Sequence, residues 1–535
     1  MKLGKGYMGV VKSVSLALGL TVLGLSAASA QERLTTPDSA QFDSSAFSLG
    51  TLTPNSGAAN RDLWQRSDGP ALDALLAAVP TTYSDPLYLE VLRRITLSPG
   101  EGPANADNLL AGRKFLTAAQ AGFYRDAASL AELVPGLRSE PALAKVVAYE
   151  ELLDGEADAA CARGASLRDG RTDPFWVRLR HFCYVRAGET SAAELTLDLM
   201  RRQDWLADAD IDRASAFAAD RLNGDFVPQG PIDYAMRADA GLPMTMAQLD
   251  AARPMIVAAV ARDGDQPADL REKALIWSVA YHTIDVAEAR SILNDLPSAQ
   301  LAGDLLNVTT QPPGTLEMAE AVGNMLGGAN GDWMSFKARS MLLAKVLPAT
   351  EPVMNYAPNA ADIAVAGMVT SQPAVVEKWI LALAGDGADP AASAYAGSLV
   401  ELYAILDPGA ARRIGSYIGL AFEPAEIAPL GAGAPSGEVP VALFVDAGLD
   451  AAQAGSIGPA TLVYLMGMKV GTSDETAPIH QAVMSWARAH ADLNWLDRQA
   501  AFRQAAMKLM AEGGSGGARM SPGGSPVPRV KPTGN

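Results

Sequence analysis

Two cysteines, four histidines and many carboxylates are the residues of this 535-residue chain with the means to do chemistry. Cys161 and Cys183 are even in number and close in sequence, the pattern of a disulfide in an oxidising compartment. The alternative is two buried thiols acting as small apolar side chains. A zinc site needs several ligands that converge. His181, His282, His480 and His490 show no H-E-x-x-H spacing. On one helix, the last two would point about 80° apart. They read as surface or capping residues. Gly513-Gly514-Ser515-Gly516-Gly517 satisfies G-x-S-x-G in letters only, since a nucleophile elbow needs a strand before it and a helix after it, and here the surroundings are low-complexity. No P-loop occurs, and Gly431-Ala432-Gly433 lacks the strand that a dinucleotide turn requires. Asp208, Asp210 and Asp212 alternate like a calcium loop but lack its central glycine and final glutamate, so a solvated turn or helix start is expected. No catalytic, cofactor-binding or metal-ligating set emerges.

The first thirty residues read as a secretory signal. Lys2, Lys5 and Lys12 precede an apolar run from Val14 to Leu25, and Ala28-Ser29-Ala30 supplies a small-residue cleavage site before Gln31. A retained signal anchor is the competing reading, but the run is short for a span of about 20 residues. Nothing later is long and apolar enough to span a bilayer. Removing the three lysines moves the net charge from −17 to −20. That acidity disfavours nucleic acid and anionic membrane surfaces, which select basic patches. A periplasmic or secreted location is expected.

The elements that would position these residues are helices. Hydrophobic residues make up 49% of the chain and aromatics 6%, with few β-branched runs, a balance that favours helices packed through small side chains. Gly122, Gly155 and Gly188 stand 33 residues apart, and Ala127, Ala160 and Ala193 each follow five residues later. Pro141 and Pro174 share the period, each behind an acid. A period near 33 is that of stacked helical hairpins. Asp173 and Pro174 predict an N-cap and first helical residue. Phe175, Leu179 and Phe182 then fall on one face. The glycine ends the first helix in a left-handed turn. The alanine sits a turn into the second helix, where a small side chain lets the pair approach closely. Antiparallel neighbours would bring Cys161 and Cys183 to heights only about 4–5 Å apart.

Ala121 to Ala128 and Ala187 to Ala193 resemble the turn and second helix of the tetratricopeptide repeat, over about residues 105–206, with a weaker echo at Thr283–Leu293 that has Ala289 in the alanine position and no glycine. The family's first-helix Trp and Tyr positions are not matched. The resemblance implies a curved α-solenoid that binds proteins or peptides.

The expected organisation is all-α. A signal (1–30) and a flexible lead-in (31–60) precede tetratricopeptide-like hairpins (61–230), and a continued helical array (231–430) follows. A C-terminal helical segment (431–512) comes after a Gly/Pro-rich interruption, and a Gly/Ser/Pro tail (513–535) is expected to be disordered. Further helices are expected at Leu249–Val260, kinked or split by Pro254, and at Glu272–His282, Met334–Val346 and Val375–Leu383. The expected function is a non-enzymatic scaffold in the cell envelope that holds a protein or peptide partner. A peptidoglycan enzyme on a helical superhelix and a self-associating structural protein are the alternatives. The former lacks the Glu-Ser pair that such an enzyme would carry.

Overall fold

Asp107 and Asp173 show how the helices start. The Asp107 carboxylate accepts from the Leu110 N–H at 2.9 Å, and Asp173 accepts from the Phe175 N–H at 2.9 Å, with Pro174 as first helical residue. Each cap satisfies an otherwise orphaned donor. In the computed structural model, described for residues 45–515 apart from 105, 203–205, 353–358, 386–389, 421–438, 455–456, 471–476 and 492, every regular element is a helix. One isolated parallel bridge joins Val439 and Val470. The signal, the start of the lead-in, Gly431–Gly433 and the tail past Ser515 lie outside the described residues.

The 33-residue period corresponds to three hairpins, Asn108–Ala118 with Tyr124–Glu132, Pro141–Leu153 with Ala157–Ser166, and Pro174–Arg186 with Thr190–Arg201. Helix Pro141–Leu153 packs against both helices of the hairpin before it, and Ala157–Ser166 packs against Pro174–Arg186. All three glycines are left-handed, at φ 105°, 82° and 70°. Ala127, Ala160 and Ala193 are buried, at 0%, 0% and 3% exposure, as a close helix–helix approach requires. Phe175, Leu179 and Phe182 are buried with Trp176. The disulfide forms between Cys161 and Cys183, with Cα atoms 5.7 Å apart.

The glycines differ in what surrounds them. A Cβ on Gly155 or Gly188 would meet nothing within 4 Å, whereas one on Gly122 would sit 2.7 Å from Thr283 Cγ2 and 3.2 Å from the Pro254 backbone. Gly122 is therefore also a docking point. Pro254 splits the expected Leu249–Val260 helix into Met246–Asp250 and Pro254–Arg262, and the second piece packs against the turn at residues 119–123. Helix Ala268–Ala280 pairs with it and also packs on Trp333–Leu343. The echo at Thr283–Leu293 is a second helix, Val286–Asn294, with Ala289 buried. Its left-handed turn residue is His282, at φ 62°. Asp208, Asp210 and Asp212 open helix Asp208–Ala218, as expected.

The last helices pack on the first. Val441–Ala454 and Ile457–Gly467 lie against Gly69–Ala78, and the Gly458 N–H donates to the Leu63 carbonyl at 3.0 Å. Asn494–Ser515 packs on Pro390–Leu406 and reaches Pro86–Leu97, where Arg503 pairs with Asp85 at 2.6 Å. On helix Asn108–Ala118, Lys114, fully buried, donates from its Nζ to the carbonyls of Phe47, Leu49 and Ser98 at 2.8, 3.1 and 3.4 Å. All three donors are matched, which ties residues 46–49 to the hairpins, but burial still lowers the Lys114 pKa to about 7, so the contacts offset the loss of water only in part.

Three outcomes follow for urea denaturation. Gly155→Ala, strained only at the backbone, should cost roughly 1–2 kcal/mol. Gly122→Ala adds a steric clash and should cost roughly 2–5 kcal/mol. Replacing both cysteines by serine should cost about 3 kcal/mol, the closure entropy of a loop of about 20 residues; an unchanged midpoint would count against the bridge.

Candidate binding site

The hairpin turns converge on a recess of about 390 Å³. Each repeat contributes to it: Arg125 just past Gly122, Asp154 just before Gly155, and Arg186 just before Gly188. Helix Pro231–Asp239 supplies Tyr234, Ala238 and Asp239, and the end of Pro254–Arg262 brings Arg262 and Asp263. Leu152, Leu153, Ala157 and Ala235 form buried apolar wall.

The cations of this recess are held in place. Arg125 pairs with Asp154 at 2.7 Å and with Glu288 at 2.6 Å. Arg186 pairs with Asp158 at 3.1 Å and also with Asp239. Arg262 takes both oxygens of Glu288, at 2.7 and 2.9 Å, and donates to the Tyr124 hydroxyl at 2.8 Å and the Thr283 carbonyl at 3.2 Å. Burial alone would lower the Arg262 pKa, but Tyr124 and Glu288 more than offset it and hold it above its ordinary value. Tyr124 donates to Asp154 at 3.2 Å, and Tyr234 to Asp263 at 2.7 Å. Burial, reinforced by those carboxylates, pushes both phenols above their usual range, so both stay protonated donors at neutral pH. The recess thus presents fixed charges of both signs around an apolar wall.

A second group lies deeper. Glu90 on helix Pro86–Leu97 pairs with Arg93 at 3.1 Å and stands 3.6 Å from His282 Nε2. Lys337 donates to the Ala280 carbonyl at 2.7 Å. Burial, then Lys337 and Arg93, push the His282 imidazole well below its ordinary pKa, so it is neutral. Yet 27% of its side chain stays accessible. Burial lowers Lys337 to about 8, with Glu90 and Asp85 resisting and Arg503 and Arg93 assisting. Its nearest carboxylates have guanidinium partners, so the group is a charge-balanced seam between the early, middle and last helices.

The histidine expectation needs correcting for two of four. His282 does cap a helix, and exposed His490 bonds the Trp486 carbonyl at 2.8 Å. His181 is fully buried, however, with its ring nitrogens 3.0 and 3.1 Å from the carbonyls of Ala193 and Ala214. It joins three successive helices. His480 is 9% exposed and meets the Gly467 carbonyl at 2.9 Å. Both rings are buried because backbone acceptors on neighbouring helices satisfy their polar atoms. Of the residues singled out from sequence, Gly155 lines the recess, and Gly122 and Gly188 stand close in sequence to lining residues. The alanines pack the helices behind it, and the disulfide joins Ala157–Ser166 to Pro174–Arg186. Arg262, Glu288 and Tyr234 carried no sequence signal, because their partners sit on other helices, 26 residues away for Arg262 and Glu288, 29 for Tyr234 and Asp263, and 138 for Arg262 and Tyr124.

Lys337 gives a pH test. Its folded pKa lies below the unfolded value, so between about pH 8 and 10 the unfolded chain holds more protons and stability rises with pH. In urea titrations, the stability of the wild type relative to Lys337→Met should therefore increase across that window; a constant difference would refute the assignment.

No protein-family model matches the chain, and no curated protein or solved structure is significantly similar to it. No helix among the described residues is long and apolar enough to cross a membrane.

Proposed function

We propose that this protein is an exported, non-enzymatic scaffold of tetratricopeptide-like hairpins that holds a protein or peptide partner at the ends of its turns. The observation that carries the reading is the recess itself. Three successive repeats each place an ionic side chain beside their turn glycine, and the guanidiniums and carboxylates are tied into fixed positions before any partner arrives. A partner peptide offers charged side chains and backbone groups at similar spacing, and preorganised sites bind with less ordering cost. The basic-then-apolar first thirty residues and the disulfide support an oxidising destination outside the cytoplasm.

The test uses the chain from Gln31 onward as bait in an envelope extract. It is paired with Ala238→Trp, which fills the recess from an exposed helical position. The bait should retain a specific partner that the filled variant loses by about tenfold or more, the effect of blocking one contact worth about 1.4 kcal/mol. Equal capture by both, self-association of the pure chain in light scattering, or clearing of peptidoglycan in a zymogram would each overturn the proposal.

A further inference from the structure

The recess at the hairpin turns is short of positive charge. Each of its three guanidiniums is already committed: Arg125 to Asp154 and Glu288, Arg186 to Asp158 and Asp239, and Arg262 to both oxygens of Glu288. Two further lining carboxylates, Asp263 and Asp265, have no cation within ion-pair distance among the described residues. Asp263 accepts only from neutral donors: the Tyr234 hydroxyl at 2.7 Å, and the Gln266 amide and the Asp265 N–H at 3.0 Å each. Asp265 is exposed on the turn that follows. Six carboxylates in and around the recess thus stand against three arginines.

The backbone carries the same sign. Helices Pro141–Leu153, Pro174–Arg186, Pro231–Asp239 and Pro254–Arg262 all end at the recess, and each brings the negative end of its dipole and its last carbonyls. Two helices, Tyr124–Glu132 and Ala157–Ser166, begin beside it, which leaves the balance negative. Glu150, one turn before Asp154, senses this field. Burial first, then Asp154 and Glu132, push its carboxyl up to about 7 despite Arg125. The carboxylates sit on separate helix ends, and among the described residues no group of three metal-ligating side chains is gathered. That spacing suits an organic cation, whose several N–H donors can meet several acceptors at once, more than a metal ion. The apolar wall beside the charges can cover a methylene stem while the charged head stays among the acceptors.

We infer that the recess recognises a basic side chain of the partner, a lysine or an arginine, with its charged head beside Asp263 and Asp265 and its stem against the apolar wall. This rests on the recess being the partner site and adds the chemistry that the partner must present. A random heptapeptide library displayed on phage, selected on the immobilised chain from Gln31 onward and counter-selected on its Ala238→Trp variant, tests it. Peptides that need the open recess should be enriched in lysine and arginine. In calorimetry, the dominant synthetic peptide should lose about tenfold in affinity or more when its lysines become norleucine and its arginines citrulline, the loss of a charge-assisted hydrogen bond. Asp265→Asn, at an exposed turn position, should weaken the same peptide about threefold and leave the circular dichroism unchanged. Peptides that need the recess but carry no basic residue would overturn this inference alone and leave the scaffold reading standing. Full affinity of the neutral analogue, or of Asp265→Asn for the parent peptide, would do the same. Failure to select any peptide that needs the recess would overturn both.

Discussion

The structure around the turns depends on one guanidinium. Arg262 sits at the end of helix Pro254–Arg262 and is 8% exposed in its side chain. A guanidinium cannot shed its charge, so its burial is tolerable only if its donors are met. Glu288, Tyr124 and the Thr283 carbonyl meet them. These partners come from the first hairpin and from the helix pair beyond residue 268, so one side chain joins segments that the period alone would leave apart. The approach is possible only because Gly122 has no Cβ where Pro254 and Thr283 arrive. A missing methyl group, a split helix and a buried arginine are links of a single chain of causes, and the floor of the recess is its result.

The same logic governs the chain's acidic excess. Asp233, only 1% exposed, lies between Arg178 at 2.8 Å and Arg213 at 3.3 Å, and accepts the Gln229 N–H at 3.0 Å. Asp85 meets Arg503 from the last helix. A buried carboxylate such as Asp233 adds little net stability over well-packed apolar residues, but leaving it unpaired costs several kcal/mol, about 3–5, whereas the partly exposed Asp85–Arg503 pair costs less to break. Their effect is to penalise wrong arrangements. Among many helices of similar composition, rich in alanine and leucine, that selectivity separates one packing from its near neighbours.

Much of the local architecture was legible from spacing. The left-handed turns at Gly155 and Gly188, the cap at Asp173, the break at Pro254 and the helix start at Asp208 each follow from steric or hydrogen-bonding rules acting within a few residues. The pairing of Cys161 with Cys183 also came from local geometry, since adjacent antiparallel helices limit how far apart the two can lie. His181 was not legible. Its burial depends on carbonyls presented by two later helices, and nothing in the flanking residues reports where those acceptors will be.

What the amino-acid order determined by itself is therefore the helical class, several helix starts and turns, and the closeness of the three repeat pairs. Those features are decided by φ, by caps and by the absence or presence of a Cβ, all local quantities. Tertiary structure alone decided that Pro254 docks at Gly122, that Arg503 reaches Asp85, and that Arg94 lies over Trp495. Each of those contacts joins residues separated by more than a hundred positions. Their energy comes from desolvation and charge pairing, which exist only once the chain has brought the groups together.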